Sequence, residues 1–361
     1  MNTQRKIILV IALLLVVFSF CSAQTTKTHT EYWDNGKTIL KLKYQYIEGE
    51  KATVGTIKYR EDGILTGMEA GGQSFAQRIL HGKYLSYYEN GILEIEATYQ
   101  TGYLHGVKKE FHSNGKLKYL KKYDNGALNG TYEAYSESGV LLERMKFKDH
   151  MLTDSSFTYF GDGKVEKLIL VTGNEGPLIL IGKIINFYPD GKIDSEGEAK
   201  IKGQGLNIKI ENSGLWVYYN ESGQKVAEEE YGYDKTLART YYDNGQLKES
   251  GQINYDKWDG PHKSFYEDGG LYSEGTYKSI PAKDPIRIGE WKIYHRNGQV
   301  FEWAKYSDFE DNRDVCLLEY KKYNEGGNLQ IHKKFSPYEG GKLILLKEYD
   351  EEGNLIKEER Y

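Results

Sequence analysis

The chain has 361 residues with 48 Lys and Arg against 53 Asp and Glu, a formal charge of −5 at pH 7. That balance excludes nucleic acid as the main partner, because phosphate binding draws on a net basic surface. Apolar residues make up 39% and mean hydropathy is −0.67, so much of the chain contacts water, while six Pro are too few for a Pro-rich linker protein.

Residues 1–23 read as a cleavable secretory signal helix. Arg5 and Lys6 precede the apolar run Ile7 to Phe20, and the small-residue site Cys21-Ser22-Ala23 stands before Gln24. The run is shorter than the ~20 residues of a spanning helix. Lipid attachment at Cys21 ranks below simple cleavage, because Phe18 and Phe20 flank Ser19 where a lipoprotein site has Leu and a small residue. The mature chain then carries −7, its localisation is exported (periplasm or extracellular), and Cys316 is its only cysteine, so no internal disulfide forms.

From residue 24 to 361 one unit recurs about thirteen times. A Tyr or Phe stands four positions before a Gly usually preceded by Asn or Asp, from Tyr32 and Gly36 through Phe111 and Gly115 to Tyr349 and Gly353. The period is most regular at 82–164, where Gly91, Gly115, Gly139 and Gly163 are 24 residues apart. Such a repeat predicts an all-β array, an elongated single-layer antiparallel meander of hairpins that grows without a second core. The position two after the Gly is apolar (Leu93, Leu117, Leu141) and the position eight after is often aromatic (Tyr99, Tyr123, Phe147). The offsets are even, which places these side chains on one face of a strand with period two. Only a three-residue loop, such as Glu89-Asn90-Gly91 or Ser113-Asn114-Gly115, sets the aromatic opposite the apolar residue, so a type I turn with a bulge is expected. A second turn closes each unit near Thr101-Gly102 and Asn125-Gly126.

These units resemble the MORN repeat in its bacterial variant form. Tyr99, Gly102, Gly106, Phe111, Asn114, Gly115 and Leu117 match in one unit, and Tyr123, Gly126, Gly130, Tyr135, Gly139 and Leu141 in the next. The resemblance implies an extended antiparallel sheet with stacked aromatics and a role in protein or membrane-surface association; some bacterial members are described as antitoxin-like. The C-terminal Tyr349 to Leu355 also looks like a YD-type repeat, a related β-array.

The repeat fails in places. His150 and Asp154 replace second-turn glycines, and Val171 and Ala199 replace the aromatic. The apolar runs Leu168 to Val171 and Leu178 to Ile185 indicate strands covered on both faces, either by the sheet curling on itself or by a partner. Insertions at 66–80, 196–213, 274–288 and 307–318 break the period, the last with Asp308, Glu310, Asp311 and Asp314 in a pattern that matches no calcium loop. Lys108, Lys109, Lys116, Lys118, Lys121 and Lys122 form a basic patch that reads as a solvated strand face.

No HExxH, Walker, GxSxG or CxxC motif occurs, and His29, His81, His105, His112, His150, His262, His295 and His332 lack metal-ligand spacing. The expectation is a non-enzymatic protein with no catalytic, cofactor or metal residues. Its function is a protein-interaction or scaffold surface at the cell envelope, with self-association through open sheet edges as a further property. Two alternatives are an antitoxin-like neutralising partner and a glycan-binding surface built on Trp33, Trp216, Trp258, Trp291 and Trp303. The acidic balance disfavours a membrane surface.

Overall fold

The computed structural model describes residues 25–34, 40–52, 57–59, 65–68, 75–308, 315–338 and 341–361. The signal segment with Cys21, the turn glycines Gly36 and Gly63, and Glu310, Asp311 and Asp314 lie outside them. Every regular element among the described residues is a β-strand, and the chain divides into two compact units, residues 1–154 with 161–163 and residues 155–160 with 164–361.

The first unit holds β1 (Lys27–Tyr32), β2 (Leu40–Ala52), β3 (Ile57–Tyr59), β4 (Leu65–Met68), β5 (Phe75–Tyr87), β6 (Leu93–Gln100), β7 (Tyr103–Leu104), β8 (Gly106–Phe111), β9 (Leu117–Asp124), β10 (Ala127–Tyr135), β11 (Leu141–Lys148) and β12 (Met151–Leu152). Strands β3 and β4 pair only with each other; the rest form an antiparallel meander in which β2 pairs with β5. The second unit is an unbroken antiparallel meander. It runs through β13 (Ser155–Tyr159), β14 (Val165–Gly176), β15 (Ile179–Phe187), β16 (Ile193–Gln204), β17 (Asn207–Tyr219), β18 (Lys225–Tyr231), β19 (Thr236–Tyr241), β20 (Leu247–Asn254), β21 (Lys257–Phe265), β22 (Leu271–Lys278), β23 (Ile286–Tyr294), β24 (Val300–Tyr306), β25 (Leu317–Tyr323), β26 (Leu329–Phe335), β27 (Leu343–Tyr349) and β28 (Leu355–Arg360).

The anticipated turn and register are present. Tyr87 faces Leu93, Phe111 faces Leu117, Tyr135 faces Leu141 and Tyr294 faces Val300, with the register slipping at the aromatic each time. Around Glu89-Asn90-Gly91, Tyr88 N donates to Ile92 O at 2.9 Å and Gly91 N to Tyr88 O at 2.8 Å. Gly91 has φ 83°, a left-handed conformation that glycine adopts without steric cost. The second turns are two-residue loops with both residues left-handed, as at Thr101-Gly102 and Asn125-Gly126, whose twist suits a tight hairpin.

The slip overturns one expectation. Even offsets place the turn-side aromatic and the aromatic eight past the Gly on one face, but the bulge inverts parity between them. In the second unit Tyr231 lies on the face of Trp216, where Tyr218 and Tyr231 both donate to Glu229, at 2.9 and 2.5 Å. The turn-side Tyr219 instead donates to Glu196 at 3.2 Å, and Glu196 stands opposite Val217 on the other face. Tyr241 bonds Glu228 at 2.7 Å and Tyr294 bonds Glu274 at 2.7 Å in the same manner. Burial, with Glu133 beside Tyr135 and Glu274 beside Tyr294, pushes both hydroxyls up to about 12.

Each unit therefore has a packed face and a polar face. In the second unit Ile169, Ile184, Ala199, Ile201, Trp216 and Trp291 are buried on the packed face. Within the chain, the apolar runs Leu168 to Val171 and Leu178 to Ile185 are fully buried on one face only. Ile169 and Ile184 are buried, Leu168, Leu170 and Ile185 on the opposite face are half-buried, and Leu178 alone of their apolar side chains is exposed. Lys183 and Glu196, paired at 2.7 Å, keep that second face polar beside them.

The basic patch also departs from expectation, because strand parity splits it. Lys108 is only 8% exposed on the packed face of the first unit, and Lys108 and Lys121 reach Glu110 at 3.1 and 2.9 Å. Lys109, on the polar face, pairs with Glu96 at 3.2 Å.

Candidate functional site

Two ladders of side chains join successive three-residue turns, and together they make the sheet a rigid template. The Asn before the turn Gly donates from Nδ2 to a carbonyl of the next turn: Asn90 to Ser113, Asn114 to Glu137, Asn244 to Glu267 and Asn297 to Glu325, at 2.9–3.0 Å. Its Oδ1 caps its own turn, as Asn114 does for Lys116 N at 3.0 Å. The residue after the anchoring aromatic spans to the next anchor's carbonyl, Tyr88 to Phe111 O, Tyr242 to Phe265 O and Tyr266 to Tyr294 O, each at 2.7 Å. His112 and His295 make the same contact with Tyr135 O and Tyr323 O at 2.9 and 3.1 Å, which gives them the structural role expected of their positions.

On the polar face of the second unit, strands β19 to β23 shape an open depression of about 510 Å³. Its floor is the backbone of Ala238, Gly251, His262 and Gly275, where the Ala238 and His262 side chains are buried on the packed face and the two glycines have none, and its polar wall comes from Arg239, Ser250, Lys263, Glu274 and Lys292. Register sets these five side by side: Arg239 opposite Ser250, Ser250 opposite Lys263, Lys263 opposite Glu274, and Glu274 opposite Lys292. Lys263 reaches Glu274 at 3.3 Å, and Arg239 reaches Glu228 at 3.7 Å. Tyr294 and Lys263 hold the Glu274 carboxyl below the usual carboxylate range, so the row stays ionised near neutrality. A row of three cations with one carboxylate and one hydroxyl at strand spacing can pair with the side chains of an extended polypeptide.

Beneath the depression lies an aromatic cluster. His262 is 4% exposed with its ring 4.5 Å from Trp258, 5.1 Å from Tyr277 and 6.3 Å from Trp291, and neither ring nitrogen has a hydrogen-bond partner. Glu249 Oε1 stands 3.7 Å from Nε2, an ion-pair distance rather than a hydrogen bond, and His262 draws the Glu249 carboxyl below its usual range. The Trp291 ring lies over Gly275, where an added Cβ would come within 2.2 Å of it. Trp216 covers Gly197 in the same way, at 2.4 Å. With exposures of 4% and 2% and their indole N–H groups bonded to Glu198 O and Thr276 O, Trp216 and Trp291 are core residues, which removes these two from the expected tryptophan glycan platform. Sequence reading missed His262 and both ring–glycine pairs; a mid-strand Gly, which marks close approach, was the available signal.

Among the described residues no three His, Cys, Asp or Glu side chains converge on a metal position. Fold and ladders define an antiparallel β-hairpin repeat protein. More specifically, the chain carries MORN repeats: the MORN repeat variant matches at 80–101, 104–125, 128–149, 237–255, 258–279 and 287–306. No curated protein matches the chain. Among solved structures, 96% of it aligns with 18% of a chain in a Photorhabdus luminescens Tc holotoxin pore, at 11% identity and a TM-score of 0.17. A second alignment covers 93% of it and 24% of a chain in a TcdB2–TccC3 crystal structure, at 9% identity and a TM-score of 0.13. The chain spans less than a quarter of either solved chain, and similarity at this level bears on neither function nor partner.

Proposed function

We propose that this chain is an exported, non-enzymatic interaction protein that binds a protein partner on the polar face of β19 to β23. The open depression with its row Arg239, Ser250, Lys263, Glu274 and Lys292 carries the reading, because a sheet with fixed register presents those charges in one order and at one spacing. Such an arrangement gives orientation and association rate more than raw affinity. Export rests on the Arg5-Lys6 pair, the apolar run after it and the small-residue site before Gln24.

Pull-down from envelope extract compares the native chain with Lys263→Glu/Lys292→Glu. The native chain is expected to retain a stoichiometric protein and the charge-reversed chain to lose it. Recovery of the same protein by both, or of none by the native chain, refutes the reading. Fractionation with N-terminal sequencing tests export separately, and a mature terminus other than Gln24 in an exported fraction counts against it.

A further inference from the structure

Two hairpin turns of the second unit carry a feature that neither the ladders nor the polar face uses. The β18–β19 and β20–β21 hairpins end in the same tripeptide, Tyr233-Asp234-Lys235 and Tyr255-Asp256-Lys257. Tyr233 is 103% exposed and Tyr255 is 93% exposed. In a meander every second turn returns to the same edge, so the two tips are neighbours two strands apart, about 10 Å.

The backbone of the second tip is strained. Tyr255 has φ 48° and Asp256 φ 61°, both left-handed. Two equivalent turns of the first unit, Thr101-Gly102 and Asn125-Gly126, have a glycine at the second position, whereas its third, Asp149-His150, is left-handed at φ 49° and 66° without one. A bulky side chain in that region is an outlier, and strain of this kind supports an inference of function when the side chain it holds has no structural task. In the first unit Tyr103, one position past its own turn and 60% exposed, rests against the neighbouring tip, its ring 3.2 Å from where a Cβ on Gly126 would stand. The Tyr233 and Tyr255 rings are instead fully open to solvent. Their lysines brace the tips sideways, Lys235 Nζ donating to Gln252 Oε1 at 3.0 Å and Lys257 Nζ to Lys283 O, which holds the platform in place before any ligand arrives.

We infer that Tyr233 and Tyr255 form a stacking platform for an extended β-1,4-linked polysaccharide. A flat ring with both faces open suits the C–H face of a pyranose, and successive tips about 10 Å apart meet every second sugar, the residues that present the same face in a β-1,4 chain. Asp234 and Asp256 beside the rings supply acceptors for the sugar hydroxyls. This site is separate from the depression on the polar face and does not depend on it.

The test is calorimetric titration of the purified chain with cellohexaose and chitohexaose. At least one hexasaccharide is expected to bind, and its disaccharide, which reaches a single ring, about tenfold more weakly. Tyr233→Ala and Tyr255→Ala each weaken the hexasaccharide about tenfold, and Tyr255→Trp retains binding. Tyr255→Asn removes the ring while relaxing the backbone, so it must fold at least as well as the native chain by thermal melting and still lose the sugar. Failure of both hexasaccharides to bind, or equal affinity in the native chain and the Tyr233→Ala/Tyr255→Ala double variant, overturns the inference. Lys263→Glu/Lys292→Glu leaves sugar binding unchanged, which separates this site from the protein-binding face.

Discussion

The regular repeats of the two units fill the same row of the packed face with opposite chemistry. In the first unit Lys108 faces Lys121, Lys121 faces Tyr132, and Glu110 on the adjoining row accepts from both ammoniums. In the second, His262 lies between Gly251 and Gly275, and Trp291 covers Gly275. One sheet geometry thus tolerates a charged cluster with tyrosine neighbours or an aromatic stack over glycine. The first solution is bought with ion pairing. The second relies on shape, because each glycine makes room for one ring.

The shape-dependent core should suffer most from truncation. Trp291→Ala removes a ring 98% buried (2% exposed) and leaves an unfilled space against Gly275, so a loss of about 3–5 kcal/mol is expected. Chemical denaturation measures it, and amide hydrogen exchange should place the loss in β21 to β24, because repeat arrays lose stability near the altered unit. Uniform loss of protection over both units would contradict the picture of locally packed repeats.

The charged cluster of the first unit should respond instead to pH. Burial alone raises the Glu110 carboxyl, but Lys108 and Lys121 outweigh it and hold the group below its ordinary 4.5. A lowered folded-state value means that the stabilisation is present in full above the ordinary carboxylate range and is lost as pH falls through the folded value. Glu110→Gln should cost about 2 kcal/mol at pH 7, less than a fully buried pair because Glu110 keeps some exposure. It should also flatten the acid side of the stability profile. A variant that loses stability yet keeps the native acid profile would show that Glu110 is not the titrating group.

Much of this was legible in the sequence, and its limits have physical causes. Turn length and the pairing of Tyr87 with Leu93 followed from turn chemistry and parity, both local properties. The side of the sheet taken by Tyr219 did not follow, since a bulge reverses period two without changing any residue type. Lys108 read as solvated because charge suggests exposure, whereas its place on the packed face depends on Glu110 two residues on and Lys121 one strand away. Asn114 read as a turn residue, but its amide also reaches Glu137 in the next unit, a contact that exists only once repeats stack. The strain at Tyr255 was hidden for a related reason: only alignment with Asn125-Gly126 in the folded array shows which position it occupies.

His262 offers a test with the opposite sign. Two buried ring nitrogens without hydrogen-bond partners cost stability, and an apolar ring of similar size removes that cost. His262→Phe should therefore match or exceed the native chain by about 1 kcal/mol, despite losing the Glu249 contact at 3.7 Å. The same measurement on His262→Ala should show a loss, because a space then opens between Trp258 and Tyr277. If His262→Phe is strongly destabilised while His262→Gln is tolerated, polarity matters more at this position than shape, and the contrast between the two units narrows.

The smallest effect should come from the ladder that both units share. Asn114→Ala removes the bond to Glu137 O and the cap on Lys116 N but leaves Gly115 to set the turn, so about 1 kcal/mol should be lost. Asn244 makes the equivalent pair of contacts in the second unit, with Glu267 O and Gln246 N, both at 2.9 Å. Because the ladder lies at the turns and not on the packed face, Asn114→Ala and Asn244→Ala should cost the same despite the different cores beneath them. Their double variant should show the sum, since the sites share no partner. Unequal costs would mean that the turns sense the core chemistry of their own unit, and the ladder could then no longer be treated as a common frame on which two different cores are built.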